Sequence, residues 1–254
     1  MDPVDAPLAA EDAPRYPAPV SARRALAIVE LLEVPPGGSV LDLGAGPAGL
    51  LLDVVALCAC HGVGLVGSET LAAGARAVAE REGLGERIEF RATSALAFAP
   101  PRRLDAVLGL GGLGRPAESL EDAAGRCLGW LRTGGVFVYG EAFLRRAPVP
   151  AYRALLGAAG EGLRMPGVSA RAIVAAGFEL MLTAVLSESE WDAHESAAYR
   201  ASLRRAALDP DDAAAAARRE RAERWYQGYW RHGRDTLGYA LHAFRKPRLA
   251  LHVV

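Results

Sequence analysis

Apolar residues Ala25, Ile28, Val29 and Leu32 recur three and four positions apart, and this spacing predicts a helix over residues 21–34. Pro35-Pro36-Gly37-Gly38 ends it. From there short apolar runs alternate with helical patterns. Strands are predicted at 39–43, 64–68, 87–91, 104–108 and 136–139, and helices at 47–60, 71–82 and 118–131. Strands of about five residues separated by amphipathic helices are the pattern of parallel βαβ units with helices on both faces. Further along, 169–176 reads as a helix and 178–186 as a strand. A long polar stretch with interspersed aromatics, about 187–234, is helical by composition. In 236–244 Leu237, Tyr239, Leu241 and Ala243 alternate with Gly238, Ala240 and His242, which predicts a closing strand. Asp209-Pro210-Asp211-Asp212 reads as a helix start, with Ala213 to Ala217 following it as helix. Residues 1–20 hold five prolines and few large apolar side chains, and read as an irregular arm.

The length of 254 residues with 51% hydrophobic composition suits one α/β domain, here 21–254 with the helical insertion. Lys plus Arg number 29 against 30 Asp plus Glu, a net charge of -1, which argues against a nucleic-acid partner. The Arg-rich run 218–224 alternates with Glu220 and Glu223 and reads as a solvated helix face. Of the 3 cysteines, Cys58 and Cys60 form a Cys-x-Cys pair and Cys127 stands alone; all read as small buried hydrophobes. No metal site is expected, because His61, His232, His242 and His252 lack ligand-like partners. The arm has no basic then apolar leader pattern, and residues 49–60 contain Asp53 and are too short to span a bilayer. A cytoplasmic protein without membrane partners is expected.

The strongest local signal is Val40-Leu41-Asp42-Leu43-Gly44-Ala45-Gly46-Pro47-Ala48-Gly49, a strand entering a helix through glycines. Glycines permit the sharp turn and let a ligand lie against backbone. Pro47 suits a first helical turn. Glu69, at the end of the second predicted strand and about 20 residues beyond Gly49, stands where the ribose-binding acid of nucleotide folds belongs. These two features fit a nicotinamide dinucleotide and S-adenosylmethionine (SAM) equally. Three others separate them: Asp42 inside the strand, Leu131-Arg132-Thr133-Gly134-Gly135 before the fifth strand, and the strand, insertion and strand of the C-terminal part.

With Leu104-Asp105-Ala106-Val107 added, these motifs make residues 21–245 resemble the class I SAM-dependent methyltransferases. Gly233-Arg234-Asp235-Thr236-Leu237-Gly238-Tyr239 resembles a bacterial small-molecule branch of that family. The resemblance implies a Rossmann-like sheet of seven strands, mostly parallel with one antiparallel edge strand, helices on both faces and a helical lid between the last two strands. It implies SAM as cofactor and S-adenosylhomocysteine as product. Backbone of Gly44, Ala45 and Gly46 would face the methionine part, Asp42 would orient that loop, and Glu69 would hold the ribose with Thr70 and Leu71 beside the adenine. Gly109 to Gly112, Leu110 among them, would line the methyl donor. Where the family often has Gly-Asp after strand three, this chain has Thr93-Ser94 followed by Ala95, so Ser94 would accept from the adenine amine without a charge.

Methyl transfer needs alignment and, for an oxygen acceptor, a base. His194 in Trp191-Asp192-Ala193-His194-Glu195 is one candidate base, on a helix that Ser187-Glu188-Ser189-Glu190 can cap. On that helix Trp191, His194, Glu195, Ala198, Tyr199 and Ser202 share one face. Glu141, following Tyr139-Gly140 at the predicted end of strand five, is the other candidate, alternatively a loop acid paired with Arg145 or Arg146. Trp225, Tyr226, Tyr229 and Trp230 form one helical stripe, read as docking a lid over the pocket. Tyr16, Trp191, Tyr199, Tyr229 and Trp230 are the candidate substrate contacts. The expected function is methyl transfer to an oxygen, nitrogen or carbon of a small molecule, by a monomer or homodimer. The alternatives are a non-methylating binding protein of the same fold and a nicotinamide-dependent oxidoreductase.

Overall fold

The computed structural model describes residues 14–111, 118–160, 162–208 and 213–248. The earlier part of the arm, Gly112 and the acidic helix start at 209–212 lie outside the described residues.

Helix α1 (Ala22–Leu32) begins at Ser21, whose side chain accepts from the Arg24 N–H, and buries Ala25, Ile28, Val29 and Leu32, the residues of its apolar spacing. Strand β1 (Ser39–Asp42) is buried throughout and lies between β2 (His61–Val66) and β4 (Leu104–Leu110). Helix α2 (Gly49–Cys58) starts two residues later than the sequence suggests. Ala48 takes a left-handed φ of 66° and its N–H closes a turn onto the Ala45 carbonyl, so Pro47 is turn rather than helix. Helix α3 (Glu69–Arg81) is capped by Ser68. Strand β2 therefore ends at Val66, and Glu69 is the first residue of a helix, not the last of a strand. Strand β3 is Ile88–Ala92 and helix α4 is Leu120–Trp130.

Strand β5 (Leu131–Leu144) is far longer than its apolar run. Leu131 already pairs with Leu104, a bulge follows, and regular pairing resumes at Val136. Gly134, at φ 76°, makes the bend the bulge requires. Helix α5 (Pro150–Leu156) was not expected; helix α6 (Pro166–Ala175) and strand β6 (Glu179–Val185) were. The insertion is α7 (Glu188–Leu208) and α8 (Ala213–Gly228), a π-helical turn over Tyr229–Gly233 and the short α9 (Arg234–Thr236), which leads into β7 (Leu237–Arg245).

The seven strands order β3-β2-β1-β4-β5-β7-β6. The antiparallel strand is β7; it sits one in from the rim, paired antiparallel with both β5 and β6. One sheet face packs on α1, α2 and α3, with Trp191, Tyr229 and Tyr239 extending that core. The other packs on α4 and α6 through Phe137, Tyr139, Phe178 and Phe244, with the Phe137 and Phe178 rings 5.5 Å apart. The three cysteines are free; burial pushes the Cys60 and Cys127 thiols up to about 11 and about 12, as befits inert core groups. Among the described residues no helix is long and apolar enough to cross a membrane.

Candidate functional site

The carboxyl ends of β1, β2 and β4 meet where the strand order reverses, the place at which open α/β sheets bind ligands. The loop after β1 hangs between its neighbours: Leu43 N–H donates to the Leu108 carbonyl and Ala45 N–H to the Leu65 carbonyl. Asp42 is 3% exposed, and its Oδ1 accepts from Gly44 N–H at 3.0 Å, fixing the first turn. Burial pushes its carboxyl up to about 7, with the Gly44 N–H alone opposing. A Cβ at Gly44 would meet only the Leu110 carbonyl, at 3.8 Å, and at Gly67 and Gly111 it would meet nothing within 4 Å. Three strand ends thus border an open cradle with bare backbone.

Glu69 and Thr70 open α3 and are exposed. Glu69 Oε1 takes a 2.6 Å ion pair from Arg76, with both side chains well exposed. Ser94 is exposed too, and its Oγ accepts the Ala97 N–H at 3.3 Å, so the hydroxyl oxygen expected to receive the adenine amine already caps a turn. Ala95 packs half-buried on the second core cluster. Gly109 and Leu110 are not beyond β4 but are its last two residues, and Gly111 N–H donates to the Gly140 carbonyl at 3.2 Å.

The arm runs across this loop. A Cβ on Gly46 would lie 3.4 Å from Pro17 Cβ, and one on Gly49 would fall 2.1 Å from the Arg15 carbonyl. Arg15 reaches Asp53 of α2 at 2.5 Å and Glu82 at 2.9 Å, and Tyr16 donates its hydroxyl to Asp53 at 2.9 Å. Tyr16 is therefore anchored to α2 with its hydroxyl occupied.

On the far side, β5 and β7 sort the remaining candidates by face. Glu141 pairs with Ala240 and Tyr139 with His242, so Tyr139, Glu141 and His242 look toward α6. Glu141 is not a loop acid and pairs with neither Arg145 nor Arg146. It is 6% exposed inside β5, its Oε2 accepts from Tyr139 at 2.8 Å, and its Oε1 has no hydrogen-bond partner. Burial raises its carboxyl, and the hydroxyls of Ser169 and Tyr139 nearby oppose the shift. Gly140 and Tyr239 take the opposite face. The Tyr239 hydroxyl is buried without a hydrogen-bond partner of good geometry, and a Cβ on Gly140 would lie 2.6 Å from it. Sequence reasoning passed over Tyr239, whose alternation in β7 marked it only as core.

Helix α7 begins with a reciprocal cap: Glu190 N–H donates to Ser187 Oγ, and Ser187 N–H donates to Glu190 Oε2. It then brings Trp191 edge-on to Tyr239, ring centres 6.2 Å apart. Trp191 is buried and its Nε1 lacks a partner. The His194 ring lies edge-on to Trp191 and has no hydrogen bond among the described residues; burial lowers it to about 4. Tyr229 is fully buried and donates to Asp192 at 2.7 Å, which makes it a packing residue. The expected stripe breaks here, because α8 passes into the π-helical turn at Tyr229. Trp230 is 46% exposed, and Tyr199 stacks on Tyr226 at 4.5 Å. Glu195, expected on the same face of α7 but given no role of its own, is 6% exposed and accepts from Trp225 Nε1 at 2.7 Å. Burial pushes its carboxyl up to about 7, against the Trp225 hydrogen bond. Arg218 and Arg221, expected in solvent, turn half-buried onto the groove between α7 and α8.

No protein-family model matches the chain. The uncharacterized protein YjhP of Escherichia coli K12 is 25% identical over 222 residues, 84% of this chain and 86% of that protein. Its crystal structure superposes with a TM-score of 0.76 at 24% identity over 93% of this chain and 97% of that one. A SAM-dependent methyltransferase from Geobacter sulfurreducens, solved with S-adenosylhomocysteine, superposes at 0.80 with 22% identity over 93% and 95% of the two chains. The [4+2]-cyclase SpnF superposes at 0.66 with 22% identity over 89% and 80%.

Proposed function

We propose that this protein, whose fold is that of the class I SAM-dependent methyltransferases, binds SAM at the β1–β2–β4 crevice and passes its methyl group to a small molecule. The observation that carries this reading is the cradle bounded by Gly44, Gly67 and Gly111, with buried Asp42 holding its first turn and Glu69 at the head of α3. The residues fit the cofactor. Asp42 holds the loop under the methionine part and biases that end toward an ammonium group. Glu69 would accept from the ribose hydroxyls; its exposed pair with Arg76 is worth about 0.2–1 kcal/mol, so sharing or leaving it costs little. Ser94, its oxygen engaged by Ala97, would donate its O–H to an adenine ring nitrogen in place of accepting from the amine.

The sulfonium of SAM supplies an already activated methyl group, which leaves alignment and exclusion of water to the protein. The buried rings of Trp191 and Tyr239 and the arm over Gly46 serve the second task. Neither expected base is strong here: His194 is held neutral at about 4, and Glu141 faces α6 rather than Tyr239. This favours an acceptor that carries a free lone pair at neutral pH, such as an aromatic or heterocyclic nitrogen, over an alcohol or an alkylammonium group that must first lose a proton.

The weakness of both expected bases supports a second reading, a protein that binds SAM without turning it over, and the cyclase of this fold is consistent with it. Asp42 inside β1 weighs against a nicotinamide cofactor. Calorimetric titration with SAM, S-adenosylhomocysteine and NAD tests all three. Both sulfur ligands are expected to bind, with at least tenfold loss in Glu69→Ala. NAD binding without SAM binding would refute the proposal, and SAM binding without turnover on any amine, thiol or phenol acceptor would favour the second reading.

A further inference from the structure

The helical pair borders an open groove of about 350 Å³ that the cofactor reading leaves unused. Its walls are Glu195, Ala198, Tyr199 and Ser202 of α7, Arg218, Arg221, Ala222, Trp225 and Tyr226 of α8, and Leu155 of α5. The chemistry of these walls is uneven along the groove. At one end Glu195 is 6% exposed, and among the described residues its one hydrogen bond is the Trp225 indole N–H on Oε2. A carboxylate this buried is costly to ionise unless a cation or several donors face it. Toward the other end the groove is lined by Arg221 and Arg218, one and two turns of α8 before Trp225, and by Ser202 of α7. The rise from Arg221 to Trp225 is about 6 Å along the helix, a spacing on the scale of one small molecule. Between them lie the Trp225 indole, the Tyr199–Tyr226 stack and the apolar Ala198, Ala222 and Leu155.

A plain organic cation would suit Glu195 but meet Arg221 in the same wall. A plain acid would meet the buried carboxylate. A molecule with both charges satisfies each end, and its ammonium lies against aromatic rings, which attract cations. We propose that the groove between α7 and α8 binds a small zwitterionic amine, a free or N-alkylated amino acid, with its ammonium group at Glu195, its acid group at Arg221 and its side chain against Leu155 and Ala222. The site is separate from the β1–β2–β4 crevice, and its occupation does not require SAM.

The groups around Glu195 are Tyr152 of α5, Arg218, Arg221, Trp225 and Tyr226 of α8, and Tyr229 of the π-helical turn. In the empty protein Glu195 is partly protonated near pH 7. A bound ammonium favours its ionised form, so binding releases a proton and tightens as pH rises through 7.

The experiment is equilibrium titration of the full chain, without cofactor, followed by calorimetry and Trp fluorescence. Leucine and N-methylleucine are the first probes, then the other common amino acids; isopentylamine and isovalerate carry one charge each. Saturable binding of a zwitterion is expected, at least tenfold tighter than either single-charge analogue, with heats that depend on the buffer's ionisation. Glu195→Gln keeps an acceptor for Trp225 and should weaken binding at least tenfold, as should Arg221→Met. Ala222→Met fills the groove between the two charges without altering either and should abolish binding even if Glu195→Gln is poorly folded. The proposal is overturned if no amino acid saturates, if isopentylamine binds as tightly as leucine, or if the Glu195 and Ala222 variants bind like the native chain. None of these outcomes depends on whether SAM binds.

Discussion

Replacing Gly49 by Ala should destabilise the protein, although Ala is the better helix former. Gly49 is the first residue of α2, and the intrinsic gain from Ala is at most about 0.5–1 kcal/mol. The new Cβ, however, would lie 2.1 Å from the Arg15 carbonyl oxygen, and 2.9 Å from its carbon. Ordinary contact begins at 3.4 Å, so the arm backbone must retreat by about 1.3 Å. That movement breaks the Arg15 pairs with Asp53 at 2.5 Å and Glu82 at 2.9 Å, and the Tyr16 hydrogen bond to Asp53 at 2.9 Å. The Arg15 side chain is 45% exposed, so each of its pairs is worth about 0.2–1 kcal/mol. The Tyr16 bond adds about 1 kcal/mol. The sum lost is about 1.5–3 kcal/mol and the net change about 1–2 kcal/mol of destabilisation. Denaturant unfolding reads that change as a lower midpoint, and trypsin cleavage after Arg15 reads the freed arm as a faster cut. Gly125→Ala is the control: Gly125 lies inside α4 with nothing within 4 Å of a Cβ, so it should gain about 0.5–1 kcal/mol. If Gly49→Ala is as stable as Gly125→Ala and Arg15 is no easier to cut, the arm does not lie on α2 as described. Because Pro17 also covers Gly46, the freed arm should weaken SAM affinity as well.

Other expectations concern the buried titratable groups and the lid. Asp42 and Glu195 have folded values near 7, above their unfolded ones, so between about pH 4 and 7 the native state holds more protons and stability falls as pH rises; Asp42→Asn and Glu195→Gln should each flatten that fall in thermal melts across the range. His194 has the opposite sign: its folded value of about 4 is below the unfolded one, so it adds stability as pH rises from about 4 to 6.5, and His194→Gln should remove that gain. Tyr229→Phe leaves Asp192 with Arg234 at 3.1 Å and should cost about 1 kcal/mol in chemical denaturation, without altering the fold seen by circular dichroism. Trp191→Ala should cost about 3–5 kcal/mol and expose Tyr239 to solvent, visible as a shift in intrinsic fluorescence.

What could be read from the residues follows from the range of the forces involved. The burial of Ala25, Ile28, Val29 and Leu32, and the fully buried β4, were legible because periodicity reports directly which side of an element meets the core. The Ser187 cap of α7 was legible because capping is decided within four residues. Boundaries were legible only where local chemistry sets them. Glu69 moved from strand to helix because Ser68 caps α3 and starts it two residues before the apolar pattern begins at Leu71. Helix α5 was missed, since its 7 residues are too few to show a helical period and its start depends on Pro150 after an extended Val149. Strand β5 reaches back to Leu131 only because β4 offers Leu104 a partner across a bulge, a pairing that no local window contains.

The candidate site divides along the same line. Asp42 and the glycine loop form one local turn, and their geometry was legible; Glu141, Tyr229, Arg218 and Arg221 take their surroundings from elements distant in sequence. Glu141 faces α6 because β5 continues in register with β7 beyond it, which carries its side chain away from Tyr239. Arg218 and Arg221 leave solvent because α8 lies against α7, and that packing is itself fixed by Glu195 with Trp225 and Ser196 with Tyr226. A run of alternating arginine and glutamate reads as a solvated face until its partner helix is known. The charge arrangement of the proposed groove is thus a property of the hairpin rather than of either helix. Ala222→Met should then abolish binding in that groove while leaving the loop after β1, and with it cofactor binding, as it was.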